Sequence, residues 1–168
     1  MLVRCGMARP VVVDIDLGYN AIMEEIEKLS KASLVVGIQE KAKTHVQTKK
    51  SRTQKAGLSV AEYAAKNEFG TNTIPERSFM RTSFDENINR IEKVTSDQYG
   101  KIIDGSSNLS QGLGIIGQVI TGLIQTKIRQ ITFPPNSPAT IAMKGSSKPL
   151  IDFGQMIASV TYAIRNRK

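Results

Sequence analysis

The chain has 168 residues, with 23 Lys and Arg against 15 Asp and Glu, and a formal net charge of +8. That length suits one domain able to bury a core, and with no Trp, five Phe and four Tyr the core must be largely aliphatic. No apolar run approaches the roughly 20 residues of a membrane-spanning helix, and a lone Cys5 excludes an intramolecular disulfide framework and fits a reducing cytosol.

The charge is concentrated. Lys41, Lys43, Lys49, Lys50, Arg52 and Lys55 stand against the single acid Glu40, and Arg165, Arg167 and Lys168 close the chain. These two clusters account for the whole surplus, so a neutral body carries two basic appendages. Residues 1–7 are too short and too interrupted to act as a signal peptide, and 1–10 are read as a disordered extension.

Residues 11–17 (V-V-V-D-I-D-L) read as a strand that Gly18 breaks. Tyr19, Ile22, Ile26 and Leu29 then fall at helical spacing, and 34–38 form a short β-rich run. From 39 to 58 periodicity vanishes, and the Lys-, Thr- and Gln-rich stretch is read as a mobile basic loop. Ser59 and Glu62 have capping-box spacing, and the Ala-rich helix they open should stop at Gly70.

Pro75 keeps Ile74 extended. Met80, Phe84, Ile88 and Ile91 then mark a helix that would reach about Asp104 in roughly seven turns, with Gly100 weakening its last turn. After a connector at 105–108, Leu109, Leu113, Ile116, Ile120, Leu123 and Ile128, broadened by Ile115, Ile124 and Ile131, mark a second long helix. It contains Gly112, Gly114, Gly117 and Gly122, each costing about 1 kcal/mol against Ala, and close approach of another backbone is the expected compensation. The two helices are expected to form an antiparallel hairpin. Pro134-Pro135 ends the second, Ser137-Pro138 starts a short helix to Lys144, and Asp152 with Gln155 has capping-box spacing for another turn or two. Val160, Tyr162 and Ile164 alternate with polar or small residues as a closing strand with one buried face. The expected fold is α+β, one domain over 1–168, with a single antiparallel sheet packed by helices and a long helical hairpin mid-chain.

Little points to chemistry. His45, the only histidine, sits in the basic stretch without a rigid orienting partner and reads as solvated. Asp14 and Asp16 would share one strand face and read as its wet side rather than as a cation site. Gly112-Leu-Gly114-Ile-Ile-Gly117 spells G-x-G-x-x-G but lies within helical periodicity with no strand before it, so nucleotide binding is rejected. The chain is therefore expected not to be an enzyme and to need no cofactor or metal. For the basic loop two readings stand: solvated charge, or a segment facing DNA through non-specific phosphate contacts. It lacks the aromatics of a single-strand binder.

Three blocks carry a resemblance. They are Ala61 to Thr71, ending Glu68-Phe69-Gly70-Thr71; Ile74-Pro75-Glu76-Arg77-Ser78-Phe79-Met80-Arg81; and Pro135 to Lys144 followed by Lys148 to Met156. In this order they resemble the "EFGT…IPxRxFhR…SPxTIxxK…PLID" pattern of tail-completion or neck proteins of tailed bacteriophages. The likeness covers about residues 11–165, and the basic loop belongs to no motif. Asn136 and Met156 stand where Leu is usual, Phe153 where Thr is usual, and Glu76 and Ser78 where small or apolar residues are frequent. The resemblance implies a structural virion protein, assembled in the host cytoplasm, that completes the tail and joins it to the head. It implies a homo-oligomeric ring, sixfold to match the tail tube, touching neck or connector proteins and the tail terminator, with genomic DNA nearby and no membrane. Glu68, Phe69, Gly70, Ile74, Pro75, Arg77, Phe79 and Arg81 are then the subunit-interface candidates, and the six basic residues from Lys41 to Lys55 the DNA-facing ones. Arg77 and Arg81, at a helix start where the helix dipole disfavours cations, are expected either to meet acids such as Glu68 or a neighbour's, or to be an ordinary exposed pair. The alternative function is a small basic nucleic-acid-binding or packaging accessory protein.

Overall fold

The structure is a computed structural model, and it describes residues 18–39, 59–151 and 154–166. The expected strand at 11–17, Cys5, Asp14, Asp16, His45 and the basic loop lie outside the described residues.

Among the described residues six helices and two strands follow in the order α1 (Tyr19–Lys31), β1 (Ala32–Ile38), α2 (Val60–Phe69), α3 (Phe79–Ile103), α4 (Leu109–Gln130), α5 (Pro138–Lys144), α6 (Gln155–Ser159) and β2 (Val160–Asn166). Among the described residues the sheet is one antiparallel pair, β1 against β2, in register from Ala32 opposite Asn166 to Ile38 opposite Val160. The fold is α+β as expected, and β1 starts two residues earlier than the apolar run suggested.

α4 is the axis of the molecule. Its Leu109, Leu113, Ile116, Ile120, Ile124 and Ile128 are buried, a stripe that faces α3 on one side and the sheet on the other. α3 and α4 form the antiparallel hairpin: Gly112 lies against Ile102 near the connector, and Lys127 bonds Glu86 at 2.6 Å near the open end. Ile124 takes the fully buried position expected of Leu123, which is half-buried, and Ile115 is exposed.

α3 departs from the expected unbroken helix at Asn87, whose φ of −119° and ψ of 16° are non-helical. The half-buried position on that turn belongs to Asn87, whose amide donates to the Ser83 carbonyl at 2.8 Å, so Ile88 is turned out and 47% exposed. Gly100 continues the helix without a break.

The helical glycines need a correction. A Cβ on Gly117 would lie 2.5 Å from Cγ of Tyr162, and one on Gly112 would lie 2.8 Å from Cδ1 of Ile102. What approaches is therefore a side chain from β2 or α3, not another backbone, and at Gly122 nothing among the described residues approaches within 4 Å.

Helix ends follow local chemistry. Ser59 and Glu62 form the expected reciprocal capping box, Asn108 and Gln111 form a second, and Ser137 caps α5 with Pro138 at its first position. α6 starts after Gly154, which has the left-handed conformation at the N-cap position; Asp152, the expected capping residue, lies outside the described residues. α1 buries none of its residues fully, but Glu25 accepts the Leu109 N–H at 2.8 Å and so ties α1 to the start of α4.

Candidate functional site

The α2–α3 junction is built around one carboxylate. Ser78 occupies the N-cap position of α3 but makes no capping bond; its hydroxyl pairs with Thr82 instead. The first turn is served from outside. Glu68, near the end of α2, accepts from the backbone N–H of Met80 at 2.8 Å and of Arg81 at 2.9 Å. Those are the second and third helical residues, whose amides an N-cap side chain would normally satisfy. A buried carboxylate is also favoured there by the positive end of the helix dipole.

Arg81 closes the same knot. Its Nε donates to Glu68 Oε1 at 3.3 Å, one Nη donates to the Glu68 carbonyl at 3.1 Å, and the same nitrogen pairs with the Glu76 carboxylate. Its guanidinium carbon lies 5.4 Å from the centre of the Phe69 ring. The bond to Glu76, and then that to Glu68, hold the Arg81 pKa above its ordinary value. Of the two readings of Arg81, contact with acids within its own chain is the one found.

The turn between the helices allows little variation. Gly70 has φ of +72°, and a Cβ on it would meet the Glu76 backbone nitrogen at 3.0 Å, so both conformation and space demand glycine. Thr71 N–H donates to the Ile74 carbonyl at 2.8 Å, and Ile74 N–H donates to the Thr71 hydroxyl at 3.0 Å. The Arg77 N–H then returns the chain to the Asn67 carbonyl at 2.7 Å.

Arg77 reaches the third block. Its Nε donates to the Pro134 carbonyl at 2.7 Å, one Nη to the Pro135 carbonyl at 3.0 Å, and the other to Asn67 Oδ1 at 3.4 Å. Arg77 is only 6% exposed and has no carboxylate partner among the described residues, and burial pushes its pKa down. Asn67, 1% exposed, is held by its own bond to the Tyr63 carbonyl. Beyond Pro135, Asn136 donates to the Ser147 and Lys148 carbonyls, and Lys144 Nζ donates to those of Lys148 and Pro149. Asn136, a departure from the usual Leu, thus pins the loop after α5, while Glu76 pairs with Arg81 and Met156 is in the core.

The three motif blocks, bridged by bonds as long in sequence as the 58 positions from Arg77 to Pro135, therefore meet in one hydrogen-bonded clasp. Between them lies a cleft of about 510 Å³ whose walls include Ile74, Pro75, Arg77, Asn136, Thr140 and Met143. On the other side of α2 an apolar groove of about 470 Å³ is bordered by Ala61, Ala65, Phe69, Met80 and Phe84.

Of the eight interface candidates, Glu68, Arg77 and Phe79 are buried inside the chain, where their contacts are internal. Gly70 and Ile74 are half-buried, and Phe69, Pro75 and Arg81 are exposed, Phe69 by 68%. Lys41, Lys43, Lys49, Lys50, Arg52 and Lys55 lie outside the described residues. Sequence reasoning gave Asn67 no role, and gave Pro134 as a helix stop and Pro135 as that and as the first residue of the third block; their bonds to Arg77 use backbone carbonyls and the side-chain amide of Asn67, which leave no pattern in the sequence. Among the described residues no group of three His, Cys, Asp or Glu could hold a metal ion, and no helix is long and apolar enough to cross a membrane. The G-x-G-x-x-G run lies in the interior of α4, against Ile102 and Tyr162.

No protein-family model, curated protein or solved structure matches this chain.

Proposed function

We propose that this chain is a structural subunit of the neck or tail of a tailed bacteriophage, completing the tail and joining it to the head as part of a ring. The reading rests on the resemblance carried by the three blocks. The observation that supports it best is their convergence: Glu68, Arg77 and Arg81 spend their charge and hydrogen bonds fixing how α2, α3 and the 134–138 segment sit against one another. A subunit that must present fixed surfaces to neighbours needs that rigidity. A ring joins unlike patches of adjacent copies, and the clasp leaves two such patches on opposite sides of α2, the exposed Phe69 edge of the apolar groove and the cleft at Arg77. The protein makes no bonds of its own in this reading; it grips neighbours, with six copies to a ring and the basic segment beside the DNA.

Cryo-electron microscopy of particles from the cognate phage tests this directly. The chain is expected as a ring at the head-proximal end of the tail, and particles lacking it should show unjoined heads and tails. Complete, infectious particles without the chain would refute the proposal. A purified protein that stays monomeric and binds duplex DNA tightly at physiological salt would favour a nucleic-acid-binding accessory role instead.

A further inference from the structure

We infer that a joint crosses the α3–α4 hairpin at Asn87 and Thr126, about which the clasp end of the molecule turns against the connector end. Two contacts fix the register of the hairpin: Gly112 with Ile102 near the connector, and Lys127 with Glu86 near the open end. They bring Thr126 of α4 level with Asn87 of α3, each next in sequence to a member of that ion pair.

At that level both helices carry the same fault. In α3 the Asn87 amide donates to the Ser83 carbonyl at 2.8 Å, and the torsions at Asn87 leave the helical range. In α4 the Thr126 hydroxyl donates to the Gly122 carbonyl, also at 2.8 Å. Each bond is a side chain turned back four residues onto its own helix. Such a bond competes for a carbonyl of the helical ladder and bends the helix. Gly122 adds a poor helix former to the same stretch, with nothing among the described residues within 4 Å of where its Cβ would be.

Each end has its own fastening. On the clasp side Glu68 holds the first turn of α3, and Arg77 holds the 134–135 carbonyls beyond α4. On the connector side Ile102 packs on Gly112 and Tyr162 on Gly117. Contacts that reach across are made by long side chains able to follow a change of angle. They are the Glu86–Lys127 pair, and Met80, whose Cε would lie 3.5 Å from a Cβ on Gly37 of β1.

The apolar spacing supplies the second position. Met80, Phe84, Ile88 and Ile91 are spaced for an unbroken helix, in which Ile88 lies beside Phe84 and Ile91. In the bent form the other three pack against the core while Ile88 is 47% exposed. Straightening α3 therefore exchanges the Asn87 bond for cover on Ile88, contributions of similar size. A change confined to a few torsions is how hinges work. This holds whether or not the chain works in a virion.

The test is double electron–electron resonance on the full chain carrying Cys5→Ser. One pair of spin labels, at Asn72→Cys and Lys101→Cys, spans the joint; a second, at Lys101→Cys and Gln118→Cys, lies on one side of it. All three positions are exposed. The 72–101 distance distribution should be the broader of the two. Asn87→Ala and Thr126→Val should each move its mean, and the two together should move it further. The limit is about 8 Å, the sweep of a ~20° kink along the ~24 Å of α3 beyond Asn87. Thr126 is exposed, so its variant still decides the matter if Asn87→Ala does not fold. The 101–118 distance should stay fixed throughout. Equal widths for the two pairs, a 72–101 mean that neither variant moves, or a 101–118 mean that moves with it would each overturn the inference.

Discussion

Tyr162 of β2 packs against Gly117 of α4, so close that a Cβ on the glycine would fall within 2.6 Å of two ring carbons. The contact joins the sheet to the central helix, and it gives two glycines of one helix opposite roles. Gly117→Ala gains about 1 kcal/mol of helix propensity but must displace the ring, an overpacking cost of about 1–3 kcal/mol. Gly122, exposed and with nothing near it, incurs no such cost. In urea denaturation Gly122→Ala should stabilise by about 1 kcal/mol and Gly117→Ala should destabilise. Pairing Gly117→Ala with Tyr162→Ala, which removes both clashing ring carbons, should cost less than the sum of the two single changes; equal shifts for both glycines would contradict the packing described.

Glu68 substitutes for the missing cap of α3, so its loss should exceed that of an ordinary cap. Glu68→Ala leaves the Met80 and Arg81 amides without acceptors and is expected to cost about 2–4 kcal/mol. Ser78→Ala, at the formal N-cap, should cost well under the ~1 kcal/mol typical of a capping serine, because its hydroxyl serves Thr82. Amide hydrogen exchange provides the local check: Met80 and Arg81 should exchange faster in Glu68→Ala and unchanged in Ser78→Ala.

How far the sequence revealed this arrangement depended on the range of each interaction. The capping box at Ser59, the Ser137-Pro138 start and the Gly70 stop are contained within four or five residues, and each could be read from spacing alone. The α3–α4 hairpin could be read because a 22-residue apolar stripe repeats its signal many times. The break at Asn87 could not, because asparagine is tolerated in helices and only the competition between it and Ile88 for the inner face decides. An Arg pair at a helix start hinted at a nearby acid, and Glu68 was the candidate for it. Nothing hinted that Arg77 would spend its donors on the carbonyls of Pro134 and Pro135, since every residue has a carbonyl and only the fold selects among them. The eight interface candidates were chosen as one motif, and burial divides them: the charges that make the motif recognisable are mostly those that build the clasp.

Acid should weaken the fold. Glu25, Glu27, Glu62 and Asp104 all have pKa values below their ordinary 4.5 or 3.8. For Glu25 the first cause is the Lys28 hydrogen bond and then the Leu109 amide; for Glu62 it is the Ser59 amide. A carboxyl that protonates less readily when folded lets the unfolded chain take up protons first as pH falls. Its stabilisation is full above the ordinary value and is lost as pH drops through the depressed one. The melting temperature should therefore hold between about pH 7 and pH 5 and decline below that. Glu25→Gln with Glu62→Gln should lower the plateau and flatten the acid limb; an acid limb of unchanged steepness would remove these two groups as its source.

Arg77 carries the link between the second and third motif blocks, and its replacement separates charge from geometry. Lysine keeps the cation but carries its three donors on one nitrogen, so it cannot span two successive carbonyls and Asn67 as the planar fork does. Arg77→Lys is expected to cost about 2–3 kcal/mol, the penalty for buried acceptors that lose their donor. Arg77→Met removes the charge as well as the bonds. Because the guanidinium is buried with no carboxylate beside it among the described residues, relief of that desolvation should offset part of the loss, and Met should be no worse than Lys. Urea midpoints for the two variants decide between these terms. If Met proves far more damaging than Lys, charge rather than the bidentate hold on Pro134 and Pro135 is what Arg77 contributes to the clasp.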